Sequence, residues 1–109
     1  MVKYAIRWSD QSQIDLREIF EYIKKAESRE RASYVVFGIR DTVREITLYP
    51  TKHAKEPVII DGSVRYAIKW SYKILFTIDE KYVNIARIFH TAQNPAKINI
   101  QTTLSDSII

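Results

Sequence analysis

The stretch Tyr72-Lys-Ile-Leu-Phe-Thr-Ile-Asp-Glu-Lys-Tyr-Val-Asn-Ile-Ala-Arg-Ile-Phe-His90 limits what this chain can fold into more than any other. Two runs rich in Ile, Val, Phe and Tyr, Tyr72 to Ile78 and Tyr82 to Phe89, flank the polar Asp79-Glu80-Lys81. β-Branched and aromatic residues on both sides of a short polar break predict a β-hairpin. In the first run Tyr72, Ile74, Phe76 and Ile78 alternate with Lys73, Leu75 and Thr77. One face is therefore strongly apolar and the other carries a cation, which predicts a sheet with one buried and one working face.

The preceding sequence supplies a cover for the apolar face. Tyr4, Ile6 and Trp8 alternate with Lys3, Ala5 and Arg7, the period of a strand. Ser9-Asp10 offers a helix N-cap, with Gln13 in capping-box position, and Leu16, Ile19, Phe20 and Ile23 form a helical stripe that ends near Ala26 to Ser28. Ser28 can cap a second helix, Arg29 to Leu48, with Ala32, Val35, Val36, Ile39, Val43 and Ile46 on its buried side. Gly38 inside that helix costs roughly 1 kcal/mol against alanine, so it marks a close helix–helix approach. Tyr49-Pro50 stops the helix, because proline pushes the residue before it out of the helical region. Two adjacent amphipathic helices form an α-hairpin, which needs a sheet to cover.

After the polar loop Thr51 to Glu56, Pro57-Val-Ile-Ile reads as a short strand, and Asp61-Gly62 as a tight turn. In the next strand Val64, Tyr66, Ile68 and Trp70 alternate with Arg65, Ala67 and Lys69, which sets the basic residues opposite the large apolar ones. Trp8 and Trp70 keep phase with other large apolar residues and are expected in the core; a nucleic-acid stacking platform is the alternative. The order is β-α-α-β-β-β, an α+β fold with a two-helix hairpin on one face of an antiparallel sheet.

A chain of 109 residues without linker segments buries one core and forms one domain. It has no cysteine, which excludes thiol catalysis, disulfides and Cys-based zinc sites. Two histidines, without H-E-x-x-H or paired-carboxylate spacing, leave little for a catalytic metal, and neither metal nor cofactor is expected. The N-terminus lacks a long apolar segment and no stretch approaches the length of a bilayer span, so a cytoplasmic protein without a membrane role is expected. The net charge is +4. The first half mixes both signs, whereas residues 62–78 and 81–105 carry cations and no acid. That bias suits an anionic partner, nucleic acid or an acidic protein segment, and equally a solvated basic face.

Several of these features resemble one family. Tyr72-Lys-Ile-Leu-Phe, a turn, then Ile85-Ala-Arg-Ile-Phe-His90 and Asn94 resemble the closing hairpin of the RelE/ParE superfamily of toxins from type II toxin–antitoxin pairs, the ParE branch best. Asp15-Leu16, Ile19-Phe20 and Tyr22-Ile23 resemble its first helix, and the element order is similar too. The resemblance covers residues 3–98 and leaves 99–109 as a tail. It implies a plasmid-stabilisation type of toxin that inhibits DNA gyrase by binding and is neutralised by a cognate antitoxin. The runner-up is a ribosome-dependent, metal-independent mRNA endonuclease; an inactive relative acting only in its antitoxin complex, and a homodimer, are further alternatives.

Metal-independent RNA cleavage needs a base, an acid and cations to hold phosphorane charge. The candidates here are Lys73, Arg65 and His90. Lys73 stands where the RNase branch has a strand arginine and lacks its bidentate fork. The C-terminal Arg and Tyr of that branch have no match, so no catalytic set is complete. Arg65, Lys69, Lys73, Arg87, His90 and Asn94 are instead expected to bind the target. Two of them have plainer roles, Arg65 as partner of a helix carboxylate such as Asp15 or Glu18 and His90 as a strand cap, and His53 is expected to be a solvated loop residue. Tyr34 and Phe37 fall off the buried stripe of their helix, which predicts that an acidic, amphipathic antitoxin segment covers them along the helical pair and the open face of the sheet.

Overall fold

A computed structural model describes residues 4–59 and 62–92. Strand β1 (Ala5–Trp8) leads into helix α1 (Asp10–Ala26) and, after two residues, helix α2 (Arg29–Ile46). Strands β2 (Arg65–Lys69), β3 (Tyr72–Ile78) and β4 (Tyr82–His90) follow, in a sheet of order β1-β4-β3-β2. The Ser9 hydroxyl accepts from the Ser12 amide, and that of Ser28 from the Arg31 amide, so both helices begin at the serines that the sequence offers.

The sheet is mixed rather than antiparallel. The β2-β3-β4 meander is antiparallel as expected, but β1 pairs with β4 in parallel, Ala5 opposite Tyr82 through Trp8 opposite Ile85. A parallel pair requires a long crossover, and the helices and meander between these strands provide one. Nothing local in either strand encodes that direction.

Along the helix-facing side run Ile74, Phe76, Val83, Ile85 and Ile88, packed with Leu16, Ile23, Ala32, Val35, Ile39 and Val43. Phe20 and Val36 pack at the margin of this core. Ile85 and Ile88 share one face although an odd spacing separates them, because Phe76 pairs with Ile85 and Leu75 with Arg87, leaving Ala86 as a one-residue bulge.

The opposite face is less open than the alternation suggests. Leu75, Ala86 and Phe89 are buried there under Val64 and Ile59. The segment before β2 covers this face, and Pro57-Val-Ile-Ile contributes turn rather than strand over residues 57–59, Ile60 lying outside the described residues. Edge strand β2 also turns its small Ala67 to the helical core, and its Ile68 stays 54% exposed. Trp70 is no core residue: it is 46% exposed in the two-residue turn between paired Lys69 and Tyr72, with φ of 53°. Its indole lies on α2 at Gly38, where an added Cβ would stand 2.2 Å from Trp70 Cη2. Gly38 thus marks the approach of a hairpin to a helix, not of two helices.

Two carboxylates tie β1 and α1 to the hairpin. Asp15, buried in α1, accepts from Arg87 Nε (2.9 Å) and Nη2 (3.1 Å), from the Ile88 amide (2.9 Å) and from Gln11 Nε2 (3.1 Å). At the other end Asp79 Oδ1 accepts from the Lys81 and Tyr82 amides, while Oδ2 accepts from Asn84 Nδ2 and Arg7 Nη2. Arg7 also donates to Asn84 Oδ1 and lies over the Tyr82 ring. The Asn84 side chain first, helped by the two amides and Arg7, holds the Asp79 carboxyl below its ordinary range against the opposing effect of burial.

Three outcomes follow from this packing. Asp15→Asn leaves the Arg87 guanidinium without its counter-charge, and denaturant titration should show a loss of about 3–5 kcal/mol. Because the Asp79 pKa is depressed in the folded state, its contribution is present above the ordinary carboxylate value and is lost as pH falls through the folded value. Acid titration of stability should therefore be shallower in Asp79→Asn than in the parent, and parallel curves would reject this assignment. Finally, Gly38→Ala should gain about 1 kcal/mol of helix propensity in a Trp70→Ala background and lose that gain when Trp70 is present, a difference measurable in a double-mutant cycle.

Candidate functional site

The structure does not gather the cations and the histidine that the sequence nominates into one site. Arg65 Nη1 donates to the carbonyls of His53 (2.6 Å) and Thr51 (3.3 Å), so it anchors the loop after α2 rather than pairing with Asp15 or Glu18. Lys73 lies across the sheet from the helices, where its Nζ is 2.6 Å from Glu56 Oε2 and 4.3 Å from the Tyr66 ring centroid. Glu56 is only 1% exposed. Its Oε2 finds no well-aligned hydrogen-bond donor among the described residues, so the contact with Lys73 is an ion pair first. The acid-free neighbourhood read from residues 62–78 is thus supplied with an acid from the preceding loop. A carboxylate followed by proline and an apolar run was the available signal, and it does not say which cation it meets.

His90, at the end of β4, pairs through its backbone with Tyr72, and its ring stands edge-on to that phenol with centroids 5.7 Å apart. Its Nδ1 accepts from the Ala92 amide at 3.0 Å, the turn-capping geometry expected of a strand-end histidine. Burial, then Tyr22 and Glu27, push the Tyr72 phenol upward, so it stays protonated at neutral pH. Arg87 is committed to Asp15. Asn94 lies outside the described residues. His53 is not simply solvated: its ring sits edge-on to Phe76, and burial, then Lys52 and Arg65, lower its pKa against a weaker opposing pull from Glu45.

Of the nominated cations, the Lys69 side chain has neither a carboxylate nor a hydrogen-bond acceptor among the described residues, its Nζ 4.5 Å from the centroid of Trp70. Trp70 in turn stacks on Tyr34 at 5.3 Å and 27°, and Arg31 lies over the other ring of the pair. The parity of Trp70 with Val64, Tyr66 and Ile68 predicts a core position that it does not take. The strand ends at Lys69, and parity carries no information beyond that point.

A second feature lies on the other flank of α2. Ile6, Trp8, Leu16, Phe20, Val36 and Phe37 floor a groove of about 840 Å³ between β1 and the helices, and Arg17, Arg40 and Arg44 stand at its sides with Gln13 and Ser33. Among the described residues no carboxylate lines it. Arg44 pairs with Asp41, whereas Arg17 and Arg40 have no acidic partner among the described residues. An apolar floor with unpaired guanidinium groups suits an amphipathic segment carrying carboxylates, and bidentate arginine is the side chain that recognises them best. Among the described residues no cluster of His, Asp or Glu is arranged to hold a metal ion, and no helix is long and apolar enough to cross a membrane.

Comparison with known proteins agrees with this architecture. A solved structure of the chromosomal ParDE toxin–antitoxin system from P. aeruginosa superposes with a TM-score of 0.70 over 81% of this chain and 96% of that one, at 21% identity, a likeness of fold. No curated protein sequence matches. The family model for the ParE toxin of the type II toxin–antitoxin system parDE matches residues 6–95. The chain, whose two-helix cover and Asp15–Arg87 tie fall within that span together with all of its mixed sheet but Ala5, belongs to the ParE toxin family.

Proposed function

We propose that this ParE-family toxin acts in the cytoplasm by binding DNA gyrase and trapping its cleaved DNA complex, and that a cognate antitoxin neutralises it through the groove between β1 and the helical pair. The observation that carries the non-catalytic reading is the separation of Lys73, Arg65 and His90. Lys73 is on the face away from the helices and held by Glu56, Arg65 is spent on two loop carbonyls, and the His90 ring packs on the helix-facing Tyr72. General acid–base cleavage of RNA requires such groups to converge on one phosphodiester. Binding makes no such demand.

For the antitoxin the groove offers chemistry of the right sign and shape. Its apolar floor gives a helix or extended segment something to bury, and Arg17 and Arg40 give carboxylates on that segment a partner. The notion that the open face of the sheet also receives the antitoxin is weakened, since Val64 and Ile59 already cover much of it.

Induced expression with parallel readout of DNA breaks and mRNA ends tests the target. DNA damage with intact mRNA, and inhibition of purified gyrase supercoiling, are expected; codon-dependent mRNA cuts abolished by Lys73→Ala would overturn the binding mechanism. For the antitoxin, the Arg17→Glu, Arg40→Glu double variant should bind at least about tenfold more weakly to the product of the neighbouring small reading frame. Added salt should slow association more than it speeds dissociation, because steering is screened while buried apolar contact is not. Unchanged capture by the double variant would remove the groove from the interface.

A further inference from the structure

Trp70 is held in its position by arrangements that a mere turn does not need. The first residue of a two-residue hairpin with positive φ is normally Gly, Asn or Asp, because a larger L side chain is strained there. Here the residue is tryptophan at φ 53°. On the facing helix Gly38, itself a costly residue in a helix interior, clears the space that the indole occupies. Two unfavourable local choices thus combine to lay one large ring on α2 while leaving nearly half of it in solvent, stacked on a Tyr34 that is 58% exposed. Lys69 and Arg31 each stand over one of these rings. Local strain retained for an exposed aromatic side chain points to use of that side chain.

We infer that the Tyr34–Trp70 pair with Lys69 is the surface by which the toxin grips its target enzyme, and that the occupant is a protein segment presenting an apolar side chain to the rings and an isolated carboxylate to Lys69. This inference rests on the reading of the protein as a toxin that acts by binding. The composition is that of an interface hot spot, Trp and Tyr with a neighbouring cation. Lys69 has no acidic partner of its own among the described residues, so a carboxylate from outside completes it. A nucleic-acid backbone fits less well. Glu30 and Glu45 are exposed, have no ion-pair partner among the described residues and share the Tyr34 flank of α2 by helical spacing, where they would repel a continuous line of phosphates. The surface is also separate from the antitoxin groove: Tyr34 and Gly38 face the hairpin, whereas Ser33, Phe37 and Arg40 face the groove. Target and antitoxin therefore read different flanks of the same helix.

The test uses Lys69→Glu and Tyr34→Ala, two surface changes that spare the buried core, in the full chain. Each protein is measured for inhibition of gyrase supercoiling, for antitoxin affinity and for binding of a single-stranded oligonucleotide alone. The expected result is a rise of about tenfold or more in the toxin concentration that half-inhibits gyrase, with antitoxin affinity and thermal midpoint unchanged. Full inhibition by both variants overturns the inference, as does a parallel loss of antitoxin affinity. Oligonucleotide binding by the parent that both variants lose would reassign the surface to nucleic acid and also overturn it. If the parent itself leaves gyrase active, the gyrase reading fails, and growth arrest on induced expression then decides the surface: arrest by Lys69→Glu equal to that by the parent rejects it, and relief of arrest supports it.

Discussion

The carboxylate of Asp15 solves the problem that this topology creates at the exposed margin of β4. Strand β1 pairs with β4 only as far as Trp8 opposite Ile85, and beyond that point the backbone of β4 has no strand neighbour on that side. Ser9 satisfies the carbonyls of Ile85 and Ala86 through its amide and hydroxyl as the chain leaves the sheet. Asp15, two turns into the helix that Ser9 caps, then accepts the next inward amide, Ile88, and the Arg87 guanidinium together. An unpaired buried amide costs free energy comparable to a lost hydrogen bond, and an unpaired buried charge costs more. The position of α1 over the sheet is thereby fixed by polar satisfaction as well as by the burial of Leu16 and Ile23.

Once α1 is fixed at that edge, the remaining helix and hairpin have little choice. Helix α2 lies over β2 and β3, where Ala67 is small enough to admit it and Gly38 admits the indole of Trp70. The bulge at Ala86 then allows Ile85 and Ile88 to face the helices while Phe89 turns to the second small core. Without it, a strictly alternating β4 would send one of those isoleucines to the wrong side. The same irregularity sets Arg87 next to the edge, where Asp15 waits.

The elements were legible because their signals are local. Both serine caps, both helical stripes and the hairpin alternation are encoded within a few residues of where they act, and Phe20, Ile23, Val36, Ile39, Ile74 and Phe76 do meet in or against one core. What stayed hidden depends on residues far apart in the chain. Glu56 reaching Lys73, His53 and Thr51 carbonyls reaching Arg65, and Asp15 reaching Arg87 each join a cation to a group that sequence neighbourhood does not reveal. A stretch without acids is therefore a poor guide to a free cationic surface. Trp70 departs from its core parity for a related reason, since the alternation ends with the strand at Lys69 and Trp70 lies in the turn.

These pairings also bear on how one scaffold can serve different chemistries. A strand cation, a strand-end histidine and a loop-proximal arginine are all present, and in isolation each is a respectable participant in phosphodiester cleavage. Each has a partner within the chain: a buried glutamate pairs with the lysine, two carbonyls occupy the arginine, and a backbone amide engages the imidazole Nδ1. Function on a shared fold is then decided less by which reactive residue types are retained than by which are left without an internal partner. By that criterion Arg17 and Arg40 on one flank of α2, and Lys69 with its stacked aromatic pair on the other, are among the described groups open to an external partner, and both sets are suited to holding a protein segment.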